Sequence, residues 1–189
     1  MTWRVFLLSW IGFTLACVAT PENQAAADLV RAREQVLQHP KDSDAHLQLA
    51  IALGKMTDFT DNRTKMEYAR QIRSEAEIAL QLDSKNAEAC RILGKWHEGM
   101  AQLNPVLKTI ATTLYGKMPD ASDAEAGRYF QLAVQLAPEN LPAHAELARW
   151  FQRNGSQSAM QLEWKRVLSL PARDAEDRSF QDEARAALR

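Results

Sequence analysis

Apolar residues recur at intervals of three and four along almost the whole chain after Thr20, which predicts a series of amphipathic helices. Proline, asparagine and glycine residues interrupt this pattern and mark the predicted helix boundaries. The predicted helices cover approximately residues 21–38, 43–53, 66–82, 86–100, 104–115, 122–136, 140–153, 156–170 and 174–188. No stretch alternates with a period of two for long enough to form a strand, so the predicted fold class is all-α.

Several boundary residues have a clear physical role. Pro105 falls in the first turn of its predicted helix, where the missing N–H costs nothing. Ser122 and Glu125 form an S-x-x-E capping box before an apolar run. Gly155 lies in an Asn-Gly-Ser turn of the kind that ends helices. These residues indicate helices that are joined by short turns.

A self-comparison of the chain reveals an internal repeat of helix pairs. Three segments align through an alanine, then a leucine, then a small residue: Ala45, Leu49 and Ala50; Ala89, Leu93 and Gly94; Ala143, Leu147 and Ala148. We expect the small residue where two helices cross closely, because a larger side chain would push them apart. This pattern has the shape of the tetratricopeptide motif, in which each pair buries its apolar face only by stacking on its neighbours.

The repeat is longer than the standard tetratricopeptide unit. Its aligned alanines, Ala45, Ala89 and Ala143, lie 44 and 54 residues apart, whereas a standard unit has about 34 residues. We attribute the first excess to a long turn around residues 59–68 and the second to an inserted helix, Asn104 to Tyr115. The predicted fold is a tetratricopeptide-like α-solenoid of antiparallel helix pairs, with that inserted helix and a C-terminal capping helix, Asp174 to Leu188.

The first 19 residues have the pattern of an export leader. Arg4 is followed by 15 uncharged, mainly apolar residues, fewer than the ~20 that a membrane span needs. Cleavage after Ala19 predicts a signal peptide (1–19), a short linker (20–27) and a repeat domain (28–189), exported to the periplasm. A leader ending at residue 16, with Cys17 as a lipid anchor, would instead give a membrane-anchored lipoprotein. An uncleaved anchor, or cleavage near residues 25–27, is a further alternative.

Composition and charge exclude some classes of partner. Apolar residues make up 46% of the chain and the formal net charge is −1, so the body exerts no general attraction on nucleic acid. We therefore expect no nucleic-acid partner. Cys90 is the only cysteine after the leader, so an internal disulfide is not expected there.

The chain carries no recognisable catalytic, metal or cofactor motif. The HExxH pattern, the Gly-rich phosphate loop and the G-x-S-x-G elbow are all absent. His46, Cys90 and His144 occupy equivalent repeat positions, which predicts packing positions rather than catalytic or metal sites. The same holds for most aromatic side chains, which we expect in the core. The sequence predicts a protein that is not an enzyme and has no catalytic residues, no metal and no cofactor.

One set of charged residues is a candidate binding site. In tetratricopeptide units the first helix of each pair lines a concave groove, and the five basic residues expected near that groove are Lys55, Arg91, Lys95, Arg149 and Arg153. Such a row is suited to a protein or peptide partner, for example an acidic peptide or a C-terminal carboxylate. It is also suited to a phospholipid headgroup. The alternative is an ordinary solvated face whose charge is balanced by acids such as Glu88 and Glu98.

The insertion also carries a resemblance to a known family. The matching motifs are Gly94-Lys95-Trp96, Ile110-Ala111, Leu114-Tyr115-Gly116-Lys117-Met118-Pro119, Tyr129-Phe130, Leu170-Pro171 and Glu176-Asp177. Through them the chain resembles the regulator of microtubule dynamics proteins over roughly residues 28–188. The resemblance implies a tetratricopeptide-like binding or scaffold protein, with membrane association through the leader. It also implies an alternative, lipid binding or lipid transfer at an apolar cavity near the inserted segment Val106 to Leu114.

Overall fold

A computed structural model describes residues 20–115 and 120–189 of the chain. Its helices are α1 (Pro21–Gln38), α2 (Ser43–Met56), α3 (Asn62–Leu82), α4 (Ala87–Ala101), α5 (Pro105–Tyr115), α6 (Asp123–Leu136), α7 (Leu141–Arg153), α8 (Gln157–Ser169) and α9 (Ala175–Ala187), with a 3₁₀ turn at Thr57–Phe59. These two ranges contain no strand. The all-α prediction is therefore confirmed for this part of the chain.

Helix α1 begins at Pro21, inside the predicted linker over residues 20–27. The Thr20 hydroxyl caps this helix by accepting a hydrogen bond from the Asn23 N–H at 3.2 Å. Ala25, on the first turns of α1, is buried. The first helix thus packs from its N-terminal end. Pro21 is favourable at the first helical position because an N–H there would have no partner within the helix.

The extra residues of the first repeat lie mainly in a longer helix, not in the predicted long turn. Helix α3 begins at Asn62 rather than near Met66 and has 21 residues. Asp61 caps α3, because its carboxylate accepts a hydrogen bond from the Thr64 N–H at 2.9 Å. Sequence periodicity missed this first turn of α3 because the residues at 61–63 are all exposed and polar.

The helices pack as three pairs, α2 with α3, α4 with α6, and α7 with α8. Helix α1 packs on α2, and α9 packs on α7 and α8 at the other end. We call α2, α4 and α7 the lead helices. Contacts between equivalent ends show that these three are parallel: Asn86 bonds to Ser43 at their N-terminal ends, and Arg153 pairs with Glu98 near their C-terminal ends.

The aligned leucines lie in the core, as the repeat predicts. Leu93 and Leu147 are 1% and 2% exposed, and Leu49 is also buried. The residue that follows Leu93 is glycine because a Cβ at Gly94 would lie 2.5 Å from the Phe130 ring of α6. Close helix crossing at this position is confirmed for the α4–α6 pair.

Two tryptophans connect neighbouring helix pairs in the same way. The Trp96 indole N–H donates to the Ala69 carbonyl of α3 at 2.6 Å, and that of Trp150 donates to the Asp123 carbonyl of α6 at 2.8 Å. Each donor lies 27 residues after its acceptor. Packing removes these indole N–H groups from water, and the hydrogen bonds to the two carbonyl groups replace the lost water contacts.

Two equivalent histidines join three elements each. His46 of α2 places one ring nitrogen 2.6 Å from the Glu75 carboxylate and the other 3.1 Å from the Pro40 carbonyl. His144 of α7 repeats this arrangement with Glu163 at 2.6 Å and Pro138 at 3.0 Å. The remaining helix pair has Cys90 at this position, fully buried as predicted.

The His46 contacts predict that stability falls as pH rises. Burial disfavours the imidazolium, but the bonds to Glu75 and Pro40 outweigh burial and raise the pKa of His46 above 6.5. A group whose pKa is raised by folding stabilises the folded state fully at pH values below its unfolded-state pKa. That stabilisation is lost as the pH rises through the folded-state pKa. Urea unfolding followed by circular dichroism at pH 6 and pH 9 should show this decline. His46→Gln and Glu75→Gln should both flatten it, and an unchanged slope in the two variants would contradict the assignment.

Candidate binding surface on the lead helices

The lead helices present one continuous polar surface. We define the lead-helix surface by these half-buried and exposed residues of α2, α4 and α7: Asp44, Gln48, Ile51, Lys55, Glu88, Arg91, Lys95, Glu98, Gly99, Arg149 and Arg153. The opposite sides of these helices form the buried core. The packed core therefore fixes the spacing of the surface side chains.

Charge is distributed unevenly along this surface. Because the lead helices are parallel, Asp44 and Glu88 lie at one end and Lys55 and Arg153 at the other. Acids near helix N-termini and bases near C-termini complement the helix dipole, which explains how such a gradient forms. We call Lys55, Lys95, Arg149 and Arg153 the basic end of the surface.

All five predicted cations lie on the lead helices, and each has a carboxylate partner. The pairs are Lys55–Asp28 at 3.6 Å, Arg91–Glu88, Lys95–Glu146 at 3.3 Å, Arg149–Glu183 at 2.5 Å and Arg153–Glu98. The five residues are thus not a row of free cations, and Glu88 and Glu98 balance Arg91 and Arg153 as the alternative of a charge-balanced face describes. The surface is an ordered set of ion pairs.

Arg91 is the least available of the five. Its side chain is 13% exposed, and its Nε donates to both carboxylate oxygens of Glu88 at 2.9 Å. Burial opposes ionisation of Glu88, but Arg91 and Asn140 outweigh burial and hold the pKa of that carboxyl below its usual range. We infer that this pair orders the acidic end of the surface and contributes little free positive charge.

Glu146 is a buried carboxylate beneath the basic end. Its side chain is only 3% exposed, with Lys95 at 3.3 Å and Arg149 at 3.4 Å. A buried carboxylate is costly unless cations compensate it. Glu146 therefore holds the two cations of α4 and α7 close together at the surface.

Arg149 also fastens the last helix. It bonds to both carboxylate oxygens of Glu183 on α9 and lies 4.9 Å from the centre of the Phe180 ring. These bonds, with the Glu146 contact, raise the pKa of Arg149 despite burial. Its guanidinium is therefore mainly a structural link between α7 and α9.

Three ion pairs present the cation outward and the carboxylate inward. The cation and carboxylate side chains are 58% and 26% exposed for Lys55–Asp28, 47% and 3% for Lys95–Glu146, and 37% and 17% for Arg153–Glu98. Solvent and partners therefore meet the positive groups first.

A cleft adjoins the basic end between α1 and α2. It has a volume of about 280 Å³ and is lined by Asp28, Arg31, Ala32, Gln35, Gln48, Ile51, Ala52 and Lys55. Its lining combines apolar side chains with two amides, two cations and the Asp28 carboxylate. Such a mixture suits one or two side chains of a bound segment better than a large apolar ligand.

The inserted helix borders another cleft, which bears on the lipid alternative. This cleft, of about 350 Å³, is lined by Met100, Lys108, Thr112, Asp120, Ala121, Ser122 and Glu125. Most of these side chains are polar. The apolar side chains of Val106, Leu107, Ile110 and Leu114, on which that alternative depends, lie outside the described residues, as does Cys17.

The buried titratable groups away from the surface have packing partners. His97 is 6% exposed, stacks on Tyr129 and meets Trp96 edge to face. Burial, aided by the charge of Arg73, lowers the pKa of His97. Burial raises the pKa of the Cys90 thiol to about 11, which disfavours a nucleophilic thiolate. Over the part of the chain that the structure covers, no cluster of three His, Cys, Asp or Glu side chains has metal-site geometry.

Comparison with known proteins identifies the family of the chain. A sequence profile described as regulator of microtubule dynamics protein 1-3 matches residues 24–189. The chain belongs to the regulator of microtubule dynamics family. The resemblance carried by the insertion motifs is confirmed. Within the described ranges, no helix is both long and apolar enough to span a bilayer.

Regulator of microtubule dynamics proteins from mammals are distant relatives of the chain. Protein 1 of Bos taurus is 26% identical over 77% of this chain and 46% of its own length. Protein 2 of Homo sapiens is 26% identical over 76% of this chain and 35% of its own length. Protein 2 of Macaca fascicularis is 25% identical over 87% and 41%. The chain thus spans less than half the length of these relatives.

Sequence reasoning found the cations but missed their most important partner. Glu146 lies three residues before Arg149 on α7, a spacing that can bring side chains together on a helix. Its second contact, to Lys95, crosses from α7 to α4 and depends on the register of the two helices. A tertiary contact of this kind left no signal in the helical periodicity.

Proposed function

We propose that this protein is a non-catalytic scaffold that holds a protein or peptide partner on its lead-helix surface. In this proposal the three helix pairs form a tetratricopeptide-type solenoid and the lead helices line its concave face. The observation that carries the proposal is the three parallel lead helices, whose side chains form one polar surface over a continuous core. Membership in a family named for regulation supports an interaction role rather than a catalytic one.

The place of action that we propose is the cell envelope. The support for this is the charged start and apolar run of residues 1–19, which lie outside the described residues. Intact-mass measurement of the mature chain from soluble and membrane fractions tests it. A full-length, unmodified chain in the soluble cytoplasmic fraction would contradict export.

Site-specific photo-crosslinking tests the binding surface directly. Gly99 is exposed, and a Cβ there meets nothing within 4 Å, so a photoreactive side chain fits without disturbing the fold. We expect that probe to capture discrete proteins in intact source cells. The matched control is the same probe at Leu162 on α8, which is 66% exposed and off the lead-helix surface. Equal capture from both positions, or capture from Leu162 alone, would reject the proposed surface.

A further inference from the structure

We propose that the basic end of the lead-helix surface binds an acidic, extended segment of the partner protein. This inference rests on the proposed function and names the chemistry of the partner. It follows from how the surface cations are paired and not from their number.

The internal carboxylates of the basic end are shared between cations, so an incoming carboxylate can join these ion pairs without displacing the internal acid. Asp28 is shared by Arg31 and Lys55, and Glu146 is shared by Lys95 and Arg149. Arg149 is also paired with Glu183, whereas Lys55 and Lys95 have no second carboxylate partner among the described residues. Partly exposed ion pairs are individually weak, so Lys55 and Lys95 can bind a further carboxylate at a small cost.

The exposed geometry favours binding without rearrangement of the core. Lys55, Lys95 and Arg153 project further into solvent than the acids that hold them. A partner carboxylate can approach each cation from the solvent side while the internal acid stays in place. Sharing a cation in this way makes a network instead of breaking a pair.

The surface fits a linear segment of a protein better than an anionic membrane. Helices of 13 to 15 residues are roughly 20 Å long, and the far end of the lead-helix surface carries Asp44 and Glu88. A flat anionic bilayer that touched the basic end would also approach these acids and be repelled. A segment that crosses only the basic end avoids them.

The cleft beside α2 offers contacts that suit a peptide backbone. Gln35 and Gln48 are exposed and line this cleft together with Lys55. Glutamine amides can donate to and accept from peptide groups, which phospholipid tails lack. The cleft therefore extends the basic end with groups that recognise an extended chain.

The test uses two labelled twelve-residue peptides, one of alternating Glu and Ser and one of alternating Gln and Ser, with binding followed by fluorescence anisotropy. We expect the Glu peptide to bind at least about tenfold more tightly at low salt, and its affinity to fall as salt rises. Lys55→Gln combined with Arg153→Gln should weaken Glu-peptide binding about tenfold. Arg185→Gln, which removes an exposed cation of α9 paired with Asp182, is the matched control and should change nothing.

One variant should act in the opposite direction. Glu98→Gln removes the carboxylate that competes for Arg153, so we expect the Glu peptide to bind about threefold more tightly. A residue needed only for the fold would not improve binding when replaced. Circular dichroism unfolding of each variant confirms that the fold is retained.

The outcomes separate this inference from the proposed function. Equal affinity for the two peptides, or no gain from Glu98→Gln, overturns the inference, and so does binding to phosphatidylglycerol vesicles without binding to the Glu peptide. If Gly99 crosslinks persist in that case, the scaffold function stands and only the acidic partner is rejected. If the Gly99 crosslinks are absent while the Glu peptide binds, the proposed function fails instead.

Discussion

Replacing Trp164 by alanine is expected to lower the free energy of unfolding by about 3–5 kcal/mol. Trp164 of α8 is completely buried and packs in one cluster with Leu141 and Ala145 of α7 and Phe180 and Ala184 of α9. Its removal leaves a cavity where three helices meet, and a helix as polar as α9 has few other apolar contacts to hold it. We therefore do not expect neighbouring side chains to move into the cavity and recover the lost packing energy.

Urea unfolding followed by circular dichroism measures the Trp164 effect. Leu162→Ala is the matched control, because it lies two residues away on the same helix and is 66% exposed. We expect this control to change the unfolding free energy by less than about 0.5 kcal/mol. A Trp164→Ala loss no larger than the control would show that α8 and α9 do not share this core.

Replacing Gly94 by alanine is expected to destabilise the protein by about 1–3 kcal/mol. Alanine normally stabilises a helix interior by about 1 kcal/mol relative to glycine. The packing around residue 94 therefore decides whether the substitution raises or lowers the free energy of unfolding. The added Cβ would lie 2.5 Å from the ring of Phe130, which is itself fully buried and cannot move aside cheaply. The overpacking cost exceeds the gain in helix propensity.

A second glycine on the same helix provides the control for Gly94. Gly99 is exposed, and a Cβ there meets nothing within 4 Å, so Gly99→Ala should stabilise by about 0.5–1 kcal/mol. Destabilisation by Gly94→Ala together with stabilisation by Gly99→Ala on the same helix would separate the effect of packing from that of helix propensity. Phe130→Leu should also reduce the cost of Gly94→Ala, since the smaller side chain relieves the contact. Stabilisation by Gly94→Ala would contradict the close approach of α4 and α6.

The helices and their buried faces could be predicted because they depend on local chemistry. Periodicity, capping residues and the Leu-small repeat pattern located eight of the described helices closely and placed Leu49, Leu93 and Leu147 in the core. The start of α3 could not be found in this way, since its first turn is polar and has no apolar residue to mark it. Asp61, which caps that turn, was the available signal.

The surface was predictable only in part, because side-chain pairing depends on tertiary register. The repeat alignment was sufficient to place Lys95 and Arg149 on the lead helices. It did not show that Glu146 would be buried between them, or that Glu183 of α9 would bind Arg149. The charge of an isolated helix face is therefore a poor guide to the field that a partner meets.

Helix α9 covers apolar side chains of α7 and α8 that would otherwise face solvent. Phe180 and Ala184 of α9 pack in one cluster with Leu141 of α7 and Trp164 of α8, and Glu183 of α9 holds Arg149 of α7. The exposed residues of α9 are two alanines, a serine and charged side chains. Helix α9 thus replaces an apolar flank by a mainly polar one, which disfavours association with a second molecule at this flank.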